Sequence, residues 1–255
     1  MLKLVLITVL GAMALLFLFQ RKLLYLPTHH TETNGLAVWG IDGRSIGYAR
    51  KVGSPQNVWL VTHGNAGQAA DRTYVLPCFS DADAVFIMEY PGYGNRTGSP
   101  NKSSFDAAAA EAYHWLRKTY PGIPVCLLGE SIGSGPAASL AQQKIPPDKI
   151  VLVVPFNDLA SVAQEQFPLI PARLMLLDRW DNSEALKGYG GKVEIYGAVN
   201  DQVIPVHHAK TLADSLTNAV FHAIPGGHND WSQSGAVQIR NINGVELLTG
   251  TRVQR

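Results

Sequence analysis

Three polar residues that could carry out acyl transfer follow apolar stretches of the sequence. Ser131 lies within residues 129–133, which have the spacing G-x-S-x-G, and Asp201 and His228 come after two later apolar stretches. A serine hydroxyl is a weak nucleophile at neutral pH, so it requires a histidine base that is oriented by an acid. The order Ser, Asp, His therefore predicts Ser131 as the nucleophile, Asp201 as the acid and His228 as the base.

The surroundings of Ser131 strengthen this interpretation, because a short serine motif alone is only a hypothesis. Residues 125–130 read as a buried strand, and a helical pattern follows the motif, so the serine is expected on a tight turn between them. Such a turn is strained, and side chains at Gly129 and Gly133 would collide with it. Ser134 lacks flanking glycines at this spacing and is not expected to be the nucleophile.

Two other aspartates compete for the role of the acid. Asp158 follows the strand predicted over 149–156 and is the main alternative, whereas Asp230 lies too close to His228 along the chain. Taken alone, Asp201 could instead cap a helix or shape a turn, and His228 could be a surface histidine of a loop. Asp201 is preferred because it lies just past the predicted strand that immediately precedes that of His228.

A glycine-rich stretch could supply the hydrogen-bond donors that acyl transfer also needs. Residues 63–67 read His-Gly-Asn-Ala-Gly and follow a predicted strand. From this position the backbone N–H of Asn65 could join that of Ile132 to stabilise a developing oxyanion. We therefore predict an oxyanion hole formed by these two groups, with His63 shaping the loop rather than acting as a base.

The apolar runs before these residues lack polar alternation, as expected for strands buried on both faces. Helical patterns lie between them, which predicts an α/β fold with a mostly parallel sheet whose carboxyl ends carry the functional groups. The predicted strands cover 57–63, 84–90, 125–130, 149–156, 192–198 and 219–225, and the predicted helices cover 103–120, 136–143 and 206–216.

The stretch 157–190 is too long for a simple connection between two strands and predicts a helical insertion, which would form a cap. Its apolar part, residues 167–177, suits either an acyl chain or packing of the cap on the core.

The first 22 residues differ from the rest of the chain. Residues 4–19 are apolar except for Thr8 and Gly11, and with their flanks they make a stretch of about 18 residues, near the thickness of a bilayer core. We predict an uncleaved single-pass signal-anchor, followed by a juxtamembrane linker over 23–36. A cleaved signal peptide is the alternative. The flanking charges favour neither orientation, because Lys3 lies on one side and Arg21 and Lys22 lie on the other.

Length, charge and cysteine content limit the classes of protein to which the chain could belong. The 255 residues are 46% hydrophobic and 16% charged, which suits one globular domain over 37–255 with a sizeable core. The net charge of +1 gives no electrostatic case for nucleic acid. Two cysteines and no C-x-x-C spacing predict neither a disulfide framework nor a metal site, and no cofactor is expected. Neighbouring side chains diverge, so the pairs His29-His30 and His207-His208 are expected to be poor metal ligands.

The chain resembles α/β-hydrolase serine hydrolases, and most closely their single-pass, membrane-anchored branch. The shared stretches cover most of residues 23–231, and they are LLYLPT, VTHGNAG, EYPGYGNRTGSP, LLGESIGSGPA, PFNDLASVAQEQFPLIPARLMLLDRWDN, VNDQVIP and GGHND. The resemblance implies the α/β-hydrolase fold and the same site residues: Ser131, Asp201 and His228 as the triad, with Asn65 and Ile132 as oxyanion donors.

The resemblance also implies a substrate class. It points to hydrolysis of acyl esters or thioesters of lipids or acylated proteins. A peptidase-like hydrolase and a non-catalytic binding protein of the same fold remain as alternatives. Residues 232–255 depart from the family pattern, because they show no sustained helical period where such domains usually end in a helix.

Overall fold

A computed structural model of the chain describes residues 1–239. Within them, eight strands form one sheet in the order β1-β2-β4-β3-β5-β6-β7-β8. The strands are β1 (Ala37–Ile41), β2 (Arg44–Arg50), β3 (Val58–Thr62), β4 (Ala84–Met88), β5 (Val125–Glu130), β6 (Lys149–Val153), β7 (Lys192–Ala198) and β8 (Ala219–Ile224). β3 to β8 are parallel and β2 pairs antiparallel with β4, so the predicted α/β fold with a mostly parallel sheet is confirmed.

The hairpin of β1 and β2 is absent from the predicted elements. Asp42 and Gly43 connect the two strands with positive φ angles of 48° and 76°, as expected for a two-residue hairpin turn. β1 lies at the edge of the sheet and exposes alternate residues, and β2 begins with two exposed residues, so neither forms a continuous apolar run. The hairpin carries none of the predicted site residues.

The helices that pack on the sheet lie on one face, and the 3-10 segment Ala69–Cys78 with Trp231, Val237 and Ile239 covers the other. The α-helices of the described residues are α1 (Leu2–Leu24), α2 (Lys102–Thr119), α3 (Ser134–Ser139), α4 (Leu159–Gln166), α5 (Ala172–Met175), α6 (Asn182–Ala185) and α7 (Val206–Asp214). α2 illustrates why they form: Asn101 and Ser104 make a reciprocal cap, and one face presents apolar residues at helical spacing. The buried residues of that face are Phe105, Ala108, Ala109, Ala112, Tyr113 and Leu116.

The predicted insertion over 157–190 contains three short helices, α4, α5 and α6. Large apolar side chains of this cap are exposed, among them Phe167 at 57%, Leu169 at 97% and Leu174 at 78%. These three side chains do not pack on the core, whereas Leu176 of the same stretch packs against it.

Among the described residues, α1 is the one helix long and apolar enough to cross a membrane, judged by length and composition alone, with a mean hydropathy of 2.5. It continues to Leu24, two residues into the predicted linker, and Tyr25 is buried against Phe105 with ring centroids 5.1 Å apart. The chain thus joins the domain core directly after the helix.

The end of the described chain returns to the sheet. Ile239 is buried and its N–H donates to the carbonyl oxygen of Cys78 at 2.7 Å. Both cysteines are buried free thiols. The atypical C-terminal stretch 232–255 extends beyond this point, and residues 240–255 lie outside the described residues.

Candidate active site

Ser131 occupies a tight turn between β5 and α3. Its φ is +53°, in the left-handed region, which costs a non-glycine residue about 1–2 kcal/mol. The flanking glycines make this turn possible. A Cβ atom on Gly133 would lie 2.0 Å from the Thr62 carbonyl oxygen, and one on Gly129 would lie 2.8 Å from the Cα of Ser134. The strained turn holds the serine at the carboxyl edge of the sheet.

The structure brings Ser131, His228 and Asp201 into one hydrogen-bonded chain. Ser131 Oγ lies 2.8 Å from His228 Nε2, and His228 Nδ1 lies 2.7 Å from Asp201 Oδ2. The other carboxylate oxygen, Asp201 Oδ1, accepts the backbone N–H groups of Val203 and Ile204, both at 2.8 Å. The turn after β7 thus fixes the carboxylate, which in turn orients the imidazole toward the serine.

The two competing aspartates have other partners. Asp158 caps α4 by accepting the N–H groups of Ala160 and Ser161, both at 3.1 Å. Asp230 accepts the N–H of Gly227 and so shapes the turn that carries His228. Of these three aspartates, Asp201 is the one whose carboxylate contacts the imidazole.

The glycine-rich loop after β3 stands beside the turn of Ser131, because β3 and β5 are parallel neighbours. Within residues 1–239, the Asn65 N–H has no protein acceptor. The Asn65 side chain is held firmly: its oxygen accepts the Leu26 N–H at 3.1 Å and the Tyr93 hydroxyl at 2.8 Å, and its amide group donates to the Leu24 carbonyl oxygen. His63 is fully buried, as expected for a residue that shapes the loop.

Glu130, the residue before the serine, has a role that the sequence analysis does not assign. It is 6% exposed, and its carboxylate accepts the Gly64 N–H at 3.0 Å, the Tyr74 hydroxyl at 2.7 Å and the Trp231 indole N–H at 2.9 Å. Burial opposes its ionisation, but the Arg72 guanidinium and these hydrogen bonds outweigh burial and lower the pKa of the Glu130 carboxyl. An ionised carboxylate therefore joins the glycine-rich loop to the loop of His228.

Ser134 is buried and faces away from the imidazole. Its hydroxyl donates to the Ser131 carbonyl oxygen at 2.6 Å and accepts the Asn182 side-chain amide at 2.9 Å. Asn182 begins α6, and Trp180 before it packs so closely on Gly135 that a Cβ there would lie 2.5 Å from the indole ring. The base of the cap is thus fastened to the helix that follows the nucleophile turn.

The prediction for one of the two histidine pairs is wrong. His29 and His30 diverge as expected, toward the Gly94 carbonyl oxygen and Asp71 respectively. His207 and His208 converge instead, with ring centroids 4.4 Å apart and both Nε2 atoms 3.0 Å from Glu165 Oε2. The helical divergence of their Cβ atoms is overcome because Glu165, from α4, reaches both flexible side chains.

The end of α1 is joined to the cap. Arg21 makes two hydrogen bonds to the Asp178 carboxylate, at 2.9 Å and 3.0 Å, and Tyr25 donates to the same carboxylate at 3.0 Å. Gln20 donates to the Met175 carbonyl oxygen and accepts the Leu177 N–H. Asp178 is almost fully buried, so this contact is part of the folded domain rather than a loose linker.

Comparison with known proteins agrees with this architecture. A family model described as the alpha/beta hydrolase fold matches residues 58–180. Among solved structures, the esterase Pf2001 of Pyrococcus furiosus superposes with a TM-score of 0.63 over 83% of this chain and 92% of that chain, at 10% identity. The chain has the α/β-hydrolase fold, and the resemblance stated from its sequence is confirmed.

Similar sequences cover different shares of the chain. An uncharacterised protein of Mycobacterium tuberculosis is 28% identical over 241 residues, which are 86% of this chain and 84% of the relative. The lysophosphatidylserine lipase ABHD12 of Xenopus tropicalis is 27% identical over 186 residues, which are 65% of this chain. The alignment covers 48% of that lipase, so the chain spans about half of its length.

Proposed function

We propose that this protein is a serine hydrolase that cleaves carboxylic esters or thioesters through an acyl-enzyme intermediate. The observation that carries the proposal is the hydrogen-bonded chain from Ser131 through His228 to Asp201. His228 Nε2 takes the proton of Ser131 as Oγ attacks the acyl carbonyl carbon, and then gives that proton to the leaving group. The same histidine activates a water molecule, which releases the acid and restores the serine.

The neighbouring groups support the two charges that develop in this reaction. The backbone N–H groups of Asn65 and Ile132 stabilise the negative oxygen of the tetrahedral intermediate, which contributes about 3 kcal/mol for each such donor. Asp201 stabilises the positive imidazolium and keeps its Nδ1 protonated. The reaction then needs neither a metal nor an organic cofactor, since nucleophile, base and donors all belong to the chain.

An activity-based probe tests this assignment. A fluorophosphonate should label the wild type and should not label Ser131→Ala, because the probe reacts with an activated serine hydroxyl. Ser134→Ala is the matched control, since this serine lies three residues away and is buried. Labelling that persists in Ser131→Ala but disappears in Ser134→Ala would reverse the assignment.

We further infer that α1 is an uncleaved membrane anchor. Three side chains at its end, Gln20, Arg21 and Tyr25, contact the folded domain, which favours a chain that keeps this segment. The protein should stay with membranes after carbonate extraction, and mass spectrometry of the membrane form should find the peptide that contains Met1. A mature form that begins within residues 12–20 would identify a signal peptide instead.

The substrate that fits this arrangement is an acyl amphiphile of the membrane, such as a lysophospholipid or an acylated protein. Because Arg21 fixes α1 to Asp178 of the cap, an anchored helix sets the exposed apolar cap residues against the bilayer surface. A relative with 27% identity is named a lysophosphatidylserine lipase, which agrees with a lipid ester. A peptidase-like reaction and a non-catalytic binding role have no feature of this kind in their favour.

Vesicle assays distinguish a defect in reaching a membrane-embedded substrate from a defect in the hydrolysis step itself. Leu169→Asp and Leu174→Asp should lower hydrolysis of a long-chain ester embedded in vesicles, while hydrolysis of a soluble short-chain ester stays at the wild-type rate. Ile145→Asp is the control, because Ile145 is 66% exposed but lies before the amino end of β6, away from the cap. Equal losses on both substrates would contradict the membrane-facing cap and leave the triad assignment intact.

A further inference from the structure

A second polar cluster lies apart from the triad, where α4 of the cap meets the first turn of α7. Glu165 Oε2 is 3.0 Å from His207 Nε2 and 3.0 Å from His208 Nε2. One ligand atom from each of the three residues lies within 4.8 Å of the others. His208 is 5% exposed at its side chain, whereas that of His207 is 56% exposed, so the cluster is anchored inside the fold and open to solvent on one side.

The partner of His208 Nδ1 identifies Nε2 as the ring nitrogen available to a ligand. His208 Nδ1 lies 2.6 Å from the side-chain oxygen of Asn157, which can only accept, so Nδ1 carries the hydrogen. With the hydrogen there, Nε2 is the ring nitrogen whose lone pair can bind a cation, and it lies 3.0 Å from the Glu165 carboxylate oxygen.

We propose that Glu165, His207 and His208 bind a divalent transition metal ion, with Zn²⁺, Co²⁺ and Ni²⁺ as the fitting ions. Two imidazole nitrogens and one carboxylate oxygen form a donor set that suits these ions better than it suits Mg²⁺ or Ca²⁺. With metal–ligand bonds of about 2.1 Å, ligand atoms 3.0 Å apart subtend an angle of about 90° at the ion. Asn157 then acts as the outer partner that metal-bound histidines usually have.

Such an ion would connect the cap to the loop that carries the proposed acid. α7 begins directly after the turn of Asp201, and α4 already contacts this turn through Gln166, whose amide donates to the carbonyl oxygens of Gln202 and Val203 at 2.9 Å and 3.0 Å. The metal would fasten α4 to α7 and restrain the cap. It takes no part in the proposed acyl transfer, so this site is independent of the proposed function.

Metal titration of the full chain tests the site. The protein should be purified in detergent without a polyhistidine tag, treated with a chelator, dialysed, and titrated with ZnSO₄ by calorimetry and thermal melting. We expect one Zn²⁺ per chain and a rise in the melting temperature on binding. His207→Ala should abolish both effects, whereas His114→Ala, which removes an exposed histidine bonded only to Gln143, should bind like the wild type.

Two further variants test the role of Asn157 and the independence of this site from the triad. Asn157→Leu should lower Zn²⁺ affinity by about 10- to 100-fold, because it removes the outer partner but no ligand. His228→Ala should retain binding, which separates this site from the triad. His207 is exposed, so its variant should melt like the wild type in the presence of chelator. Equal Zn²⁺ affinity in the wild type and His207→Ala, or no saturable binding by the wild type, would overturn the proposal.

Discussion

Replacing Glu130 by glutamine should slow the proposed reaction although it removes no group of the triad. One carboxylate oxygen accepts the Gly64 N–H and the other accepts the Trp231 indole N–H. Glutamine has one acceptor oxygen and one NH₂ group, so in either orientation an NH₂ faces one of these N–H donors. The Tyr74 hydroxyl can rotate to accept a hydrogen bond from this NH₂ group. The N–H donor that the NH₂ group faces still has no acceptor.

The magnitude follows from the contacts that are lost. A hydrogen bond to a charged group contributes about 1.5–3 kcal/mol, and a buried donor left unpaired costs about 1–3 kcal/mol, so the free energy of unfolding should fall by about 3–5 kcal/mol. Gly64 immediately precedes Asn65, one of the proposed oxyanion donors. A displacement of about 1 Å at a reacting group costs about 100-fold in rate, so we expect kcat to fall by about 10- to 100-fold.

The assay is hydrolysis of a p-nitrophenyl acyl ester, with kcat and KM measured separately, together with urea unfolding. Asp83→Asn is the control, because Asp83 is 1% exposed and bonded to Asn57 at the amino ends of β3 and β4, away from the proposed active site. It should lose stability and keep kcat. The reasoning would be refuted by a wild-type kcat in Glu130→Gln, or by an equal loss of kcat in the control, which would indicate general loosening.

Further predictions concern the acid, the buried serine and pH. Asp201→Asn should lower kcat by about 10⁴-fold with KM little changed. The N–H groups of Val203 and Ile204 hold the amide oxygen of the asparagine, so its NH₂ must face His228 and impose the wrong tautomer. Asp158→Asn should instead cost about 1 kcal/mol of stability in urea unfolding through a weaker helix cap, and a collapse of kcat there would exchange the two assignments. Ser134→Ala should keep probe labelling but melt at a lower temperature, since it leaves the Asn182 amide short of one acceptor; unchanged melting would contradict this. The fold lowers the pKa of Glu130 below its ordinary 4.5, so the unfolded chain binds that proton more readily. Its stabilisation is therefore complete above about pH 4.5 and is lost as the pH falls through the folded-state pKa, so the urea midpoints of wild type and Glu130→Gln should converge in acid.

The parts of the site that depend on local sequence were predictable. The turn of Ser131 follows from two glycines and a strand that precedes them, and all six predicted strands overlap observed ones because fully buried parallel strands read as continuous apolar runs. The β1–β2 hairpin escaped prediction because its residues are half exposed and include Arg44, Ser45 and Gly47, which give no such run.

Features that depend on distant partners could not be read from neighbouring residues. Glu130 meets Tyr74 and Trp231 across 56 and 101 positions of the chain, so nothing next to it indicates its role. His207 and His208 look divergent on an isolated helix, and they converge because Glu165 approaches from the cap. In both cases the fold, rather than the local pattern, selects the side-chain direction.

The attachment of Asn65 to the end of α1 has a consequence for how this protein could be switched off. The Asn65 side chain bonds to the Leu24 carbonyl oxygen and the Leu26 N–H, so the segment that follows α1 also supports the glycine-rich loop. If α1 is the proposed anchor, a protease that cut this segment would release the domain from the membrane and remove two supports of a proposed oxyanion donor in the same event. Shedding would then be an inactivating step, and a shortened version that starts after residue 26 would misrepresent the activity of the whole chain.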